Sequence, residues 1–249
     1  MRHLVLILGG TTEARVLAQR LAARPELSVT LSLAGRTRAP AAQPVPVRVG
    51  GFGGAEGLAA YLRENRVALL IDATHPYAAR ISRNAAEAAR LTATPILALR
   101  RPPWTRVEGD LWREVDTVAE AVVALGAEPR RVFLALGRQE ARAFEAAPQH
   151  RYLVRSVDPI APPLALPHVR TITARGPFDE TAERALLAAE RIELVVAKNS
   201  GGAATYGKIA AARGLGIEVV LVRRPELPQV VSAGTVDEAV AMAVGMPGA

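Results

Sequence analysis

Short, often β-branched apolar runs alternate with alanine-rich stretches of helical spacing along almost the whole chain, and no other feature limits the fold so much. The runs lie at 3–8, 28–33, 67–71, 95–99, 131–136, 152–157, 193–197 and 217–222. The helical stretches lie at about 12–23, 55–65, 77–91, 117–125, 138–147, 179–190, 203–213 and 236–244. Continuous apolar strands separated by helices predict an α/β fold of parallel sheets covered on both faces. The segment Arg100-Arg101-Pro102-Pro103-Trp104 interrupts the pattern, and a domain boundary is expected there, giving domains of 1–100 and 101–249.

The halves resemble each other. LILGGTTEARVLA around Gly9 is echoed by LALGRQEARAFEA around Gly137, LLIDATHPYAARIS by LVVAKNSGGAATYG, and PILALRRP by EVVLVRRP, at offsets of 128, 126 and 123 residues. Three matches in one order predict two similar doubly wound, Rossmann-like units. In such sheets ligands bind beyond the carboxyl ends of the strands, so the loops at Gly9, Thr74, Gly137 and Lys198 become the candidate site, with an interdomain cleft as the expected arrangement.

Composition narrows the chemistry. With no cysteine, disulfides, thiolate metal sites and cysteine nucleophiles are excluded. His3, His75, His150 and His168 have no ligand spacing, so no metal is expected. No apolar run reaches the roughly 18 residues of a membrane span, and the apolar start is broken by Gly9-Gly10, so a cytoplasmic protein without a membrane partner is expected. The net charge of +7 calls for an acidic partner. Nucleic acid fits poorly, because the cations are scattered and only ten aromatic residues are available for stacking. A monomer is compatible with these features. Of 31 basic residues only Lys198 and Lys208 are lysines, and both fall in KNSGGAATYGK. That segment is a candidate for work that needs a compact ammonium.

Gly9, Gly10, Thr11, Thr12 and Glu13 form a turn between the first strand and a helix, where glycines let the backbone approach a pyrophosphate and the helix amides face it. Only part of the usual glycine fingerprint is present, and helix capping by Thr11 or Thr12 is the competing reading. The second strand runs into Gly35-Arg36-Thr37-Arg38 without a carboxylate, which suits a 2′-phosphate and hence NADPH over NADH. Gly51 and Phe52 sit in the flexible run Gly50–Gly54. Thr74, His75, Pro76, Tyr77 and Ala78 follow the 67–71 strand, with Pro76 placed for a first helical turn.

GGTTEAR, DATHPYA, RRPPW, TARGPF, KNSGG and VVLVRRP together resemble the precorrin-6A reductase family of cobalamin biosynthesis, which includes the cobalt-precorrin-6A reductases. The resemblance implies NADPH-dependent reduction of a macrocycle double bond. It implies two α/β domains, with Gly9, Thr11, Thr12, Glu13, Arg36, Gly51 and the Thr74–Ala78 loop toward the cofactor, and Lys198, Asn199, Ser200, Gly201 and Gly202 toward the tetrapyrrole. The first domain would bind NADPH and the second the substrate.

The residues themselves fit a polycarboxylate. Arg138, Arg175, Lys198 and Lys208 are candidate clamps, and Ser200, Thr205 and Tyr206 candidate neutral donors. Hydride reduction also needs a proton, for which Lys198, His75, Tyr77 and water are all candidates. Two rivals are an NADP-dependent short-chain carbonyl reductase and a non-catalytic NADP sensor. The first commonly uses a Tyr-x-x-x-Lys pair, whereas Tyr206 and Lys208 are two apart and Tyr77 is followed by Ile81. The second would need no basic substrate wall. No P-loop sequence occurs.

Overall fold

The computed structural model describes residues 2–35 and 42–246. In chain order the first elements are β1 (His3–Leu8), α1 (Thr12–Ala22), β2 (Leu27–Leu33), β3 (Val47–Val49), α2 (Ala55–Glu64), β4 (Val67–Asp72), α3 (Ala79–Thr92) and β5 (Ile96–Leu99). There follow β6 (Trp112–Val115), α4 (Val118–Ala124), β7 (Arg131–Ala135), α5 (Arg138–Ala141), β8 (Arg151–Ser156), β9 (Val169–Thr173), α6 (Glu180–Ala189) and β10 (Leu194–Lys198). Last come α7 (Gly207–Gly214), β11 (Glu218–Val222), β12 (Ser232–Ala233) and α8 (Val236–Gly245). The expected helix at 138–147 divides into α5 and a 3₁₀ turn, Arg142–Ala146, and a second 3₁₀ turn, Ala203–Thr205, precedes α7.

Two six-stranded sheets result, ordered β12-β5-β4-β1-β2-β3 and β6-β11-β10-β7-β8-β9. Every strand pair is parallel. This is the expected pair of doubly wound sheets.

The boundary differs from the expectation. One compact unit comprises Met1–Pro102 together with Pro225–Ala249, and the other is Pro103–Arg224. The segment after Arg224 therefore returns to the first unit, where β12 pairs with β5. Ala98 and Arg100 each donate a backbone N–H to this segment, to the carbonyls of Val231 and Ala233, both at 2.8 Å.

The exchange is reciprocal. The sixth position of the first sheet is filled by β12 from after the second unit, while that of the second sheet is filled by β6, which directly follows the first unit's five strands. The helices after these two strands start alike. Thr117 and Thr235 accept from the backbone N–H groups of Glu120 (3.0 Å) and Glu238 (3.2 Å), whose carboxylates accept from Asp116 and Gly234. Both resemble a capping box, with the glutamate reaching back to the residue before the cap rather than to the cap itself.

In the first unit, α1 and α8 cover one face of the sheet with Leu17, Ala18, Leu21, Ala239, Val240 and Ala243. Helices α2 and α3 cover the other with Leu58, Leu62, Ala85, Ala88 and Ala89. The alanines bring helix backbones close to strands whose residues are apolar on both sides, such as Val5-Leu6-Ile7 and Leu69-Leu70-Ile71, all fully buried. In the second unit Leu187, Ile209, Ala211 and Ala212 pack on Phe133, Val195, Val219 and Leu221. Among the described residues, no helix is long and apolar enough to cross a membrane.

Candidate active site

In the first unit the chain direction of strand order reverses between β1 and β4, which lie side by side. The loops leaving these two strands are GGTTEAR and ATHPYA, so the topology brings the two motifs to one place. A Cβ on Gly9 would come within 2.6 Å of Leu31 Cδ1, and Gly10 has φ +118°, so both glycines answer to the backbone itself. Thr11 caps α1: its hydroxyl accepts from the Ala14 N–H and donates to the Ala73 carbonyl, both at 3.0 Å. The capping role thus takes the Thr11 side chain and ties the two loops together. Thr12 is exposed, whereas Glu13 is paired with Arg101 at 2.6 Å.

Asp72, at the end of β4, is buried and accepts from the Thr74 N–H at 3.2 Å and hydroxyl at 2.6 Å. This closes a turn that fixes the start of the loop. His75 is exposed and its Nδ1 accepts from the Tyr77 N–H at 3.3 Å, with the two rings 5.6 Å apart. Neutral His75 then carries its hydrogen on Nε2. Pro76 is buried in a turn closed by the Ala78 N–H and the His75 carbonyl at 2.7 Å, and α3 starts only at Ala79, one turn later than Pro76 suggested.

Gly51 and Phe52 lie in the loop between β3 and α2, where Gly50, Gly53 and Gly54 all have positive φ. A Cβ on Gly57 would meet the Phe52 carbonyl at 1.8 Å, so this loop packs on its helix only because residue 57 is glycine. Arg36 and Arg38 lie outside the described residues.

The second unit repeats the plan between β7 and β10. Lys198 ends β10 and its ammonium forms an ion pair with Glu140 on α5, joining the two loops at that point. Arg138 opens α5 beside it and is half-buried; Arg175 is exposed on the connection from β9 to α6. Ser200 is buried, with its hydroxyl 3.3 Å from that of Thr205. Gly201 and Gly202 have φ +66° and +76°, a backbone conformation that glycine adopts without strain.

Three residues expected to face a substrate are committed inside the unit. The Asn199 side chain is buried and pairs with the Trp104 backbone at both its oxygen and its nitrogen. Tyr206 packs against Trp104 with ring centroids 5.7 Å apart and its hydroxyl accepts from Arg213 at 3.0 Å. Lys208 is only 4% exposed; its ammonium donates to the Thr205 carbonyl and lies 4.9 Å from the centre of the Trp104 ring. A side chain so enclosed cannot clamp a carboxylate from solution. Burial, with the Arg155 guanidinium adding repulsion and Glu183 opposing it, brings its pKa down to about 7.

Sequence reasoning passed over Arg224 and Glu140. Arg224 donates to the carbonyls of Asn199 (2.8 Å) and Ser200 (3.0 Å), and the Trp104 indole donates to that of Gly202 at 3.0 Å, so the loop is held at three carbonyls. The signal was in the repeated RRP: its second arginine is Arg101 in one half, bound to Glu13, and Arg224 in the other. Glu140 was signalled by the shared EAR that places Glu13.

The fold and these paired loops define a double Rossmann-type α/β protein with one loop pair at each sheet's switch point. Residues 4–243 match the family described as precorrin-6x reductase CbiJ/CobK. The chain is 60% identical over 235 residues to a precorrin-6A reductase of Sinorhizobium sp., covering 94% of this chain and 90% of that one. A solved CobK precorrin-6A reductase superposes with a TM-score of 0.94 at 48% identity, covering 98% of this chain and 96% of that one. A cobalt-precorrin-6A reductase of Priestia megaterium is 27% identical over 248 residues, covering 95% of this chain and 96% of that one. The chain belongs to the precorrin-6x reductase CbiJ/CobK family.

Proposed function

We propose that the protein is an NADPH-dependent precorrin-6A reductase, which adds a hydride and a proton across one double bond of the macrocycle to give precorrin-6B. The observation that carries this reading is the difference in chemistry between the two switch points. The loops of the first unit offer open backbone: among the described residues, chain neighbours aside, no atom lies within 4 Å of a Cβ built on Gly10, Gly50, Gly51, Gly53 or Gly54. Such surfaces suit a pyrophosphate and ribose. The second unit offers cations, Lys198 and Arg138 at the switch point and Arg175 nearby, which suit a substrate bearing several carboxylates.

NADPH supplies the hydride when bound. The residues of the first unit that would hold it are Gly9, Gly10, Thr12, Gly51, Phe52 and the 74–78 loop, with Arg36 on the 2′-phosphate. Thr11 and Asp72 shape those loops rather than contacting the cofactor through their side chains. Lys198, Arg138, Arg175 and Ser200 would bind the tetrapyrrole and set its orientation. For the proton, Lys198, His75 through Nε2, and Tyr77 each carry a transferable hydrogen on these loops. The higher identity to precorrin-6A than to cobalt-precorrin-6A reductases supports the metal-free substrate. A cytoplasmic location fits such a biosynthetic step.

The carbonyl-reductase alternative loses its residues: Tyr206 is bound to Arg213, and Lys208 is enclosed. Purified protein mixed with NADPH and precorrin-6A is expected to oxidise one NADPH per macrocycle reduced, followed by cofactor absorbance and the tetrapyrrole spectrum. Absence of turnover with both metal-free and cobalt-containing substrate would overturn the reading.

A further inference from the structure

The GGFGG run poses a physical problem. Five residues of which four are glycine carry more backbone freedom than any other part of the chain, and ordering them on ligand binding would consume binding energy. The molecule solves this with Arg48, a residue of the short edge strand β3. Its guanidinium donates to the carbonyls of both Gly50 (2.7 Å) and Gly51 (2.9 Å). The same planar group lies over the Phe52 ring, 3.7 Å from its centre, and the Phe52 ring meets Tyr61 of α2 edge-on with centroids 5.2 Å apart. The loop is thus pinned at three consecutive residues by one side chain, and through Phe52 to the helix that follows.

The pinning has a directional consequence. In a trans peptide the carbonyl and the N–H point to opposite sides. With the Gly50 and Gly51 carbonyls turned to Arg48, the N–H groups of Gly51 and Phe52, which share those two peptide units, are turned away from it. Among the described residues neither N–H has an acceptor, whereas the Gly50 N–H is bound to Leu33 at 2.9 Å. Two successive amides so directed make a donor pair suited to an anionic or hydroxyl oxygen.

We infer that Arg48 is a positioning residue for the dinucleotide, holding the Gly50–Phe52 backbone so that the Gly51 and Phe52 amides are ready to donate to it. The inference rests on the proposed NADPH reading and goes beyond it by assigning a role to a side chain that does not itself touch the cofactor. Lysine cannot replace it fully, since an ammonium has neither the two-pronged geometry nor the flat face that stacks on Phe52.

The test combines affinity with hydrogen exchange on the full-length protein. NADPH is expected to slow exchange of the 50–54 amides in the wild-type chain. Arg48→Met, which keeps the apolar stem but loses every donor, is expected to raise the NADPH dissociation constant about tenfold, with faster exchange in the free loop and an unchanged KM for the tetrapyrrole. Arg48→Lys is expected to fall between the two, and its intact circular dichroism and melting would separate loop loosening from misfolding. If NADPH protects the loop in the wild-type chain, yet Arg48→Met and Arg48→Lys bind NADPH as tightly as wild type, the role of Arg48 is overturned while the cofactor reading stands. If NADPH binds without protecting the loop in the wild-type chain, this loop is not part of the cofactor site, and Arg48 has no positioning role. If NADPH does not bind at all, the proposed function itself fails.

Discussion

Asn199 and Trp104 pair as two short strands would: the Trp104 N–H donates to Asn199 Oδ1 at 2.7 Å, and Asn199 Nδ2 donates to the Trp104 carbonyl at 3.0 Å. A side chain from the loop after β10 therefore satisfies the backbone of the first residues of the second unit. Asn199→Ala leaves both backbone groups buried and unpaired, a loss of about 2–3 kcal/mol. The expected result is a clear drop in urea stability, with a raised tetrapyrrole KM as the KNSGG loop relaxes. A stability change below about 0.5 kcal/mol would return Asn199 to the list of direct substrate ligands.

Lys198 has a second acidic neighbour to consider once a substrate carboxylate arrives, because Glu140 already holds its ammonium. Lys198→Ala is expected to raise the tetrapyrrole KM about tenfold or more while NADPH affinity is kept. Glu140→Gln keeps the shape of the site but lets the ammonium move, so a smaller effect on the same constant is expected. In the Lys198→Ala background the Glu140→Gln effect should vanish, and a double-mutant cycle measures that coupling. Additive effects would separate the two residues.

Arg36 carries the expected choice of cofactor, since the end of β2 offers no carboxylate to the ribose. Arg36→Ala should weaken NADPH binding about tenfold or more and leave NADH nearly unaffected. Titration of both cofactors by fluorescence tests this; equal losses would remove Arg36 from the 2′-phosphate.

The eight strands legible in the sequence are the eight that lie inside the sheets, and the four that were not legible, β3, β6, β9 and β12, are the four at the edges. Interior strands have neighbours on both sides and helices on both faces, so they read as unbroken apolar runs. Edge strands are part solvated: VRV, WREV and the two-residue SA carry no such pattern. The path of the chain between sheets was equally hidden, because β12 owes its place to pairing with β5 rather than to its own residues. At the site, the loops were legible through glycines and repeats, but the division of labour within them was not. Thr11, Asn199 and Lys208 are residue types that serve a ligand or a neighbouring backbone equally well, and no sequence pattern places Ala73, Trp104 and Thr205 beside them, where their backbones take these side chains.

Two buried bases give stability a defined pH dependence. Lys208 titrates near 7 in the folded chain and near 10.5 when unfolded. Between these values the unfolded chain binds the extra proton, so stability rises with pH, by at most about 1.4 kcal/mol per pH unit. His150, fully buried with its Nδ1 accepting from the Arg130 N–H at 3.2 Å, is held below its usual 6.5 mainly by burial and further by the Arg130 charge. Stability is therefore also lost as pH falls below 6.5. Urea unfolding from pH 5.5 to about 9.5 stays below the range where tyrosines ionise and should show a steady rise. Lys208→Met should flatten its upper part and His150→Phe its lower part. An unaltered slope in either variant would place the proton elsewhere.

The exchanged sixth strands make a further prediction about how the chain can be cut. A chain ending at Arg224 retains all six strands of the second sheet but lacks β12 and α8 of the first. It leaves the Ala98 and Arg100 N–H groups without the Val231 and Ala233 carbonyls, and it uncovers the apolar face that Ala239, Val240 and Ala243 bury beside Leu17 and Leu21. Losing that burial costs on the order of 3–5 kcal/mol, enough to unfold a unit of ordinary stability. The truncated chain should accordingly lose NADPH binding and exchange the β5 amides rapidly. A synthetic peptide of residues 225–249 added in trans should restore both, since the missing piece is a contiguous strand and helix with its own N-terminal cap at Thr235. Wild-type melting and cofactor affinity in the truncated chain would mean that β12 and α8 are dispensable additions to a five-stranded unit.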